Sequence, residues 1–232
     1  MRRRFSDAIV ALAGDPTLAF LTGDLGFMAL EPVRDALGAR FLNAGVAEQN
    51  MVSVAAGLAR TGLRPWAYSI APFLYARPFE QVRNDVCLHR LPVRLVGNGG
   101  GYGYGVMGAT HHALEDYGTL LALVGLRAYV PAFASDVTAV IRDLMDLEAP
   151  AYLRLGRCER PTDFEVPSYA PFRHLLPGDG PTLLIVGPLV GGVVSRARER
   201  DQCDRPSVWV VTELPIDAAT LPPPFLSDVA RS

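Results

Sequence analysis

Short apolar runs alternate with longer amphipathic ones along most of this 232-residue chain, and that alternation leaves few architectures open. Residues 18–22, 40–43, 66–70, 93–96, 128–130 and 151–155 read as strands. Residues 5–13, 47–60, 72–88 and 135–146 read as helices. The expected fold class is α/β, a mostly parallel sheet with helices on both faces. In such sheets ligands bind at the carboxyl ends of the strands. The loops carrying Asp24, Glu48 and a Gly-rich segment gather there.

Residues 159–181 hold five prolines and little periodicity and read as a linker. Beyond them a strand at 182–186, a helix at 189–200 and a strand at 207–212 open a second α/β unit, which ends in a Pro-rich tail. Two strands in about fifty residues are too few to hold a core alone, so this unit is expected to pack on the first domain or on another chain. The division is thus 1–158, a linker at 159–181, and 182–232.

Composition excludes several classes. Half the residues are hydrophobic, 20% are charged and the net charge is −2, which describes a packed globular protein. That balance gives no reason to expect nucleic acid or an anionic membrane as partner. No run approaches the roughly 18 apolar residues that span a membrane. The amino-terminal MRRRFSDAIVALAGDP has the paired arginines of an export signal, but Asp7, Gly14, Asp15 and Pro16 interrupt its apolar stretch. Cys87, Cys158 and Cys203 form no CxxC pair and read as small core hydrophobes in a reducing compartment, so the expected location is cytoplasmic.

The segment LNAGVAEQNMVSVAAGLA, residues 42–59, places one carboxylate, Glu48, at the entrance of a helix that is apolar around most of its circumference and so should be buried. A lone acid there is costly to ionise unless something pairs with it. Glu48 is therefore either a working group or a first-turn acid complementing the helix dipole. The stretch GNGGGYGYGVMG, residues 97–108, lacks the Lys-Ser/Thr of a P-loop and the helix offset of a dinucleotide fold. It reads either as a loop whose backbone approaches a cofactor or another subunit, or as a long mobile loop.

His111 and His112 follow that loop. Adjacent histidines seldom share a coordination sphere, and His89 and His174 have no useful spacing, so no metal site is expected from this chain. One of the pair is better suited to donate a proton or to face an oxyanion. Glu115 and Asp116 then cap or pair at the start of the next helix. Gly178-Asp179-Gly180 matches the start of the metal motif of thiamine-diphosphate enzymes. No Asn follows it at the required distance, so it reads as a turn.

In this order the pieces resemble the pyrimidine-binding half of the transketolase family, from about Arg3 to Arg157. FLNAGVAEQNMVSVAAGLA is similar to the segment bearing the family's glutamate, PFLYARPFEQVRND to its aromatic pocket helix, and GVMGATHHALED to its Gly-Thr-His loop. The resemblance implies thiamine diphosphate as cofactor. Glu48 would hydrogen-bond N1′ of the aminopyrimidine and favour the imino tautomer, whose nitrogen takes the thiazolium proton; the cofactor carries the carbon chemistry. Phe73 would stack on the pyrimidine, Asp24 would lie near the cofactor, and His111 would face substrate oxygens. Arg157, Arg3 and Arg154 match positions used for a sugar phosphate.

This chain also departs from the family's pattern. A second pocket aromatic corresponds to Ile70, and a sugar-reading aspartate to Met107. A phosphate-contacting histidine falls at Gly99 and a phosphate-contacting serine at Met28. The resemblance therefore implies a retained cofactor site and a changed substrate, a ketose donor or acceptor other than the ordinary pentose phosphates. Because the family's diphosphate-binding domain has no counterpart in these residues, the chain is expected to be one subunit of a split enzyme. A separate subunit would bind the diphosphate and Mg2+ (or Ca2+), in an α2β2 heterotetramer. Two other readings stand beside this one: the β-like subunit of a 2-oxoacid decarboxylase or dehydrogenase, and a non-catalytic regulatory homologue.

Overall fold

The computed structural model describes residues 1–231, which form two units: 1–129 with 137–156, and 130–136 with 157–231. The first unit carries α1 (Arg2–Ala11), β1 (Leu18–Thr22), α2 (Glu31–Leu37), β2 (Phe41–Asn43), α3 (Glu48–Arg60), β3 (Arg64–Ile70), α4 (Ala71–Tyr75) and α5 (Phe79–Gln81). It continues with β4 (Arg94–Asn98), α6 (Asp116–Leu120), β5 (Arg127–Tyr129), α7 (Val137–Asp146) and β6 (Ala151–Leu155). These strands lie in the order β5-β6-β4-β3-β1-β2, every neighbouring pair parallel. β1 is buried along its whole length and β3 everywhere but its two ends. That is what near-continuous apolar runs dictate when both faces are covered. Phe5 of α1 meets Phe20, Trp66 and Tyr68 in an aromatic cluster between helix and sheet.

Three local expectations change. Helix α3 is not buried all round: Met51, Val52, Ala55, Ala56 and Ala59 face inward while Val54 is 41% exposed and Gly57 lies open. It is an amphipathic helix whose outer side mixes Gln49, Asn50 and Arg60 with the small residues Val54 and Gly57. The single helix expected at 72–88 is instead α4, α5 and a π-helical turn over Val82–Cys87. Pro78 explains the break, because it lacks an N–H and its ring crowds the preceding turn. Helix α2 is additional to the elements expected, since the Gly26–Leu30 loop before it hides its start and Pro32 sits in its first turn.

The second unit carries β7 (Phe172–Leu176), β8 (Thr182–Val186), α8 (Val190–Ala197), β9 (Ser207–Val211) and α9 (Pro223–Arg231). Its sheet runs β7-β9-β8, with β7/β9 antiparallel and β8/β9 parallel. The stretch expected to be a linker thus contains a strand: FRHLL alternates too weakly, between prolines, to be recognised. The Pro-rich tail contains a helix, with its prolines in the first turn, where a missing N–H costs nothing. Phe225 of that helix packs edge-on against Phe172 and Trp209. Ala132, Phe133, Leu175, Val190, Val194, Val208 and Val210 form the unit's core. Of the cysteines, Cys87 is buried, Cys158 partly so, and Cys203 exposed, which corrects the expectation that all three are core residues. Gly178-Asp179-Gly180 is a turn hydrogen-bonded to Gln202 and Arg205. Among the described residues no helix is long and apolar enough to cross a membrane.

Residues 130–136 are tied to the rest of this unit by a buried ion pair. Arg173 Nη1 donates to Asp136 Oδ1 at 3.0 Å and Nη2 to Oδ2 at 2.6 Å. Asp136 Oδ2 also accepts from the Ala132 and Phe133 amides. Removing one partner strands the other charge in the interior. Asp136→Ala is therefore expected to lower unfolding free energy by about 3–5 kcal/mol in urea titration, and pairing it with Arg173→Met to recover much of the loss.

Candidate active site

The loops after β1, β2, β3 and β4 all leave the same edge of the first sheet, because its strands are parallel. Glu48 stands at that edge, in the first turn of α3, with 4% of its surface exposed. Arg77, from the break before Pro78, donates Nη1 to Glu48 Oε2 at 2.9 Å. Ser69, near the end of β3, places Oγ 3.5 Å from Glu48 Oε1. The same Arg77 guanidinium lies over the Phe73 ring, 3.9 Å from its centroid. Ile70, the last residue of β3, and Phe73 in α4 are both partly buried.

The segment that follows the Gly-rich loop also meets Phe73. The His111 ring meets Phe73 edge-on at 5.1 Å, and Nδ1 lies 2.9 Å from the Thr110 hydroxyl. Tyr104 sits 5.8 Å from His111 and accepts a hydrogen bond from Asn98. His112 points elsewhere, to Gly105 O and the Tyr102 ring. Asp24 is exposed after β1 and accepts from Asn43 Nδ2 at 3.1 Å, linking the first two loops. A cavity of about 300 Å³ opens beside it, lined by Thr22, Phe27, Glu31 and Asn43 among others.

The structure thus gathers Glu48, Phe73 and His111, with Ile70 at the end of the adjoining strand. Other expected residues are exposed, lie in the second unit or are committed internally. Met107 is 55% exposed in the 3-10 turn Gly105–Met107, and Arg3 is exposed on the first turn of α1. Arg157 belongs to the second unit. Arg154 is committed internally: Nε lies 2.8 Å from Asp116 Oδ2, Nη2 donates to Ala113 O at 2.6 Å, and its guanidinium covers the Tyr117 ring.

That commitment explains the glycines. Asp116 is fully buried and also accepts from Tyr152 Oη at 2.7 Å. Burial pushes its carboxyl above the ordinary range, against the opposing pull of Arg154 and Tyr152. The loop then lies on these side chains: a Cβ at Gly97 would meet Tyr152 Oη at 2.4 Å, and one at Gly100 would meet Arg154 Nε at 2.1 Å. The Gly99 and Gly100 amides donate to Leu155 O, and Gly101 bridges Ala113. Of the two readings of this segment, close approach therefore holds, but to the protein's own β6.

Sequence reasoning does not single out Arg77. A signal for it is present, as a cation four residues after Phe73, the spacing that brings side chains together on a helix. Nothing local points to the Asp116–Arg154–Tyr152 network, because its members lie up to 38 positions apart along the chain.

Residues 4–161 match the family described as transketolase, pyrimidine binding domain. This chain belongs to that family. It is 34% identical, over 71% of its length, to an apulose-4-phosphate transketolase subunit of Phocaeicola vulgatus, covering 53% of that protein. It is 31% identical, over 68% of its length, to a 6-deoxy-6-sulfo-D-fructose transketolase subunit of a Clostridium species, covering 49% of it. The chain spans about half the length of these curated relatives. A solved structure described as a split gene transketolase, inactive beta4 tetramer, superposes with a TM-score of 0.79 at 29% identity, over 92% of this chain and 71% of that one.

Tyr152→Phe removes the hydroxyl donor to a buried carboxylate. It is expected to destabilise the protein by roughly 1–3 kcal/mol. Faster hydrogen exchange at the Gly99–Gly101 amides checks that the loop has loosened.

Proposed function

We propose that this chain is the pyrimidine-side subunit of a two-chain, thiamine-diphosphate-dependent transketolase. The observation that carries the reading is the buried Glu48 carboxylate standing beside the half-buried face of Phe73. A buried acid with one outward-reaching cationic partner suits a planar nitrogen heterocycle that offers an N–H to the acid and a flat face to the ring. The residues therefore fit the aminopyrimidine of the cofactor. Bound there, thiamine diphosphate supplies the carbon nucleophile for cleaving and re-forming a bond next to a carbonyl. Glu48 holds a proton at N1′, Phe73 stacks, Ile70 forms an aliphatic wall, and Asp24 helps close the cofactor side. His111, on the edge of Phe73, donates to a substrate oxygen.

The relatives named as subunits and the split-gene structure support a separate partner that binds the diphosphate and Mg2+ or Ca2+ in an α2β2 assembly. We take residues 1–158 as the pyrimidine domain, and 182–232 as the start of the family's third domain. Among the described residues no group of three His, Cys, Asp or Glu side chains is placed to hold a metal. Three free cysteines fit a reducing, cytoplasmic setting. The reaction is transfer of a two-carbon ketol unit from a ketose, with Arg157, Arg3 and Arg154 the candidate contacts to an anionic substituent. The geometry of Arg154 favours a role in holding the Gly-rich loop. The departures at Met107, Gly99 and Met28 favour a substrate outside the ordinary pentose phosphates, as do relatives named for apulose 4-phosphate and for a sulfofructose.

Reconstituted with the diphosphate-binding subunit, Glu48→Gln is expected to lower turnover by about a hundredfold or more while leaving the melting temperature near that of the parent. Undiminished turnover overturns the assignment. Ketose phosphates should serve as donors; turnover of 2-oxoacids alone would move the chain to the 2-oxoacid decarboxylase class.

A further inference from the structure

One side chain of the protein itself, Arg77, occupies both contacts assigned to the aminopyrimidine. Arg77 gives Nη1 to Glu48 Oε2 at 2.9 Å and lays its guanidinium 3.9 Å above the centre of the Phe73 ring. A guanidinium is a flat cation with N–H groups along its edge and apolar faces, so it satisfies an acid and an aromatic ring at once. A protonated aminopyrimidine has the same three properties. Two planar groups cannot both lie in contact with the same ring face and the same carboxylate oxygen.

We propose that Arg77 is a placeholder for the cofactor's pyrimidine: it keeps Glu48 paired until the ring enters and is then expelled. This rests on the reading of Glu48 and Phe73 given above. Three features make the exchange feasible. Arg77 sits in the break between α4 and α5, so its movement disturbs no helical hydrogen bond of its own. Its side chain is 45% exposed, against 4% for Glu48, so it has solvent to move into. Among the described residues Glu48 has no other cationic partner within salt-bridge distance, so the carboxylate would otherwise stand buried and unpaired. Binding of the pyrimidine is thus an exchange of one partner for another, and Glu48 is never left bare. It also sets an affinity penalty, because the ring must displace a half-exposed ion pair and a cation–π contact.

The test uses the full chain and 4-amino-5-hydroxymethyl-2-methylpyrimidine, titrated by calorimetry and by NMR of arginine Nε–H signals. If Arg77 is a placeholder, Arg77→Met binds the fragment about three- to tenfold more tightly than the parent. In the parent the Arg77 Nε–H signal moves to a solvent-exposed position on saturation, and Glu48→Gln and Phe73→Ala lose binding. Binding by Arg77→Met that is equal to or weaker than the parent's, with Glu48→Gln and Phe73→Ala still defective, overturns the placeholder and leaves the pyrimidine site standing. Absence of binding in every variant, or undiminished binding by Glu48→Gln and Phe73→Ala, overturns both. Melting curves separate a folding failure from a binding effect: Arg77→Met should melt below the parent without fragment and regain the difference when saturated.

Discussion

A parallel strand has to be covered on both faces, because the crossovers that join parallel strands lay helices there. That constraint governs the first unit. β1, β3 and β4 spend nearly all their residues on burial, so the sheet offers no face for polar chemistry. Groups available to act are confined to the carboxyl edge, where the chain turns out of the sheet and backbone amides come free. Glu48, Asp24, Phe73 and the Gly-rich loop all lie on segments leaving that edge.

Two carboxylates are nonetheless buried in the first unit near this edge, and their partners distinguish what they do. Asp116 is closed in by Arg154, which is 12% exposed, and by the fully buried Tyr152. Neither partner has anywhere to go, so the cluster acts as a fixed support under residues 97–101. Glu48 is as well buried but is paired with a cation that is 45% exposed and rooted in a helix break. An interior acid with a removable partner is suited to exchange ligands; one with a sealed partner is suited to hold a shape. The same argument separates Arg154 from Arg77, which sequence position alone would not.

The sheet and the order of its elements were legible because they rest on local apolar runs. Local pattern also drew attention to Glu48 and to the His111–His112 pair, whereas Phe73 was singled out by the family resemblance alone. What was illegible depends on contacts distant in sequence. The strand at 172–176 is specified by its pairing with β9, not by its own alternation. The break at Pro78 was visible as a residue but outweighed by the helical periodicity around it. The purpose of Gly97 and Gly100 could not be read without Tyr152 and Arg154, more than fifty positions later, lying against them. Gly-rich sequence says that a backbone comes close to something; it does not say to what.

The departures from the family pattern gain a physical meaning in the same loop. Gly99 adopts φ +77°, and a Cβ there would lie 2.1 Å from the Tyr104 ring. A side chain at 99 and the observed placement of Tyr104 therefore exclude one another. The Tyr104 ring takes the space that a side chain at 99 would need, and Asn98 donates to its hydroxyl. Met107, three positions on, opens outward in the following turn. In the proposed reading a substrate approaching His111 meets the Tyr104 ring, 5.8 Å from the imidazole. In that reading substrate choice is tuned by the packing of Tyr104 on Gly99, which leaves the contacts of Glu48 untouched.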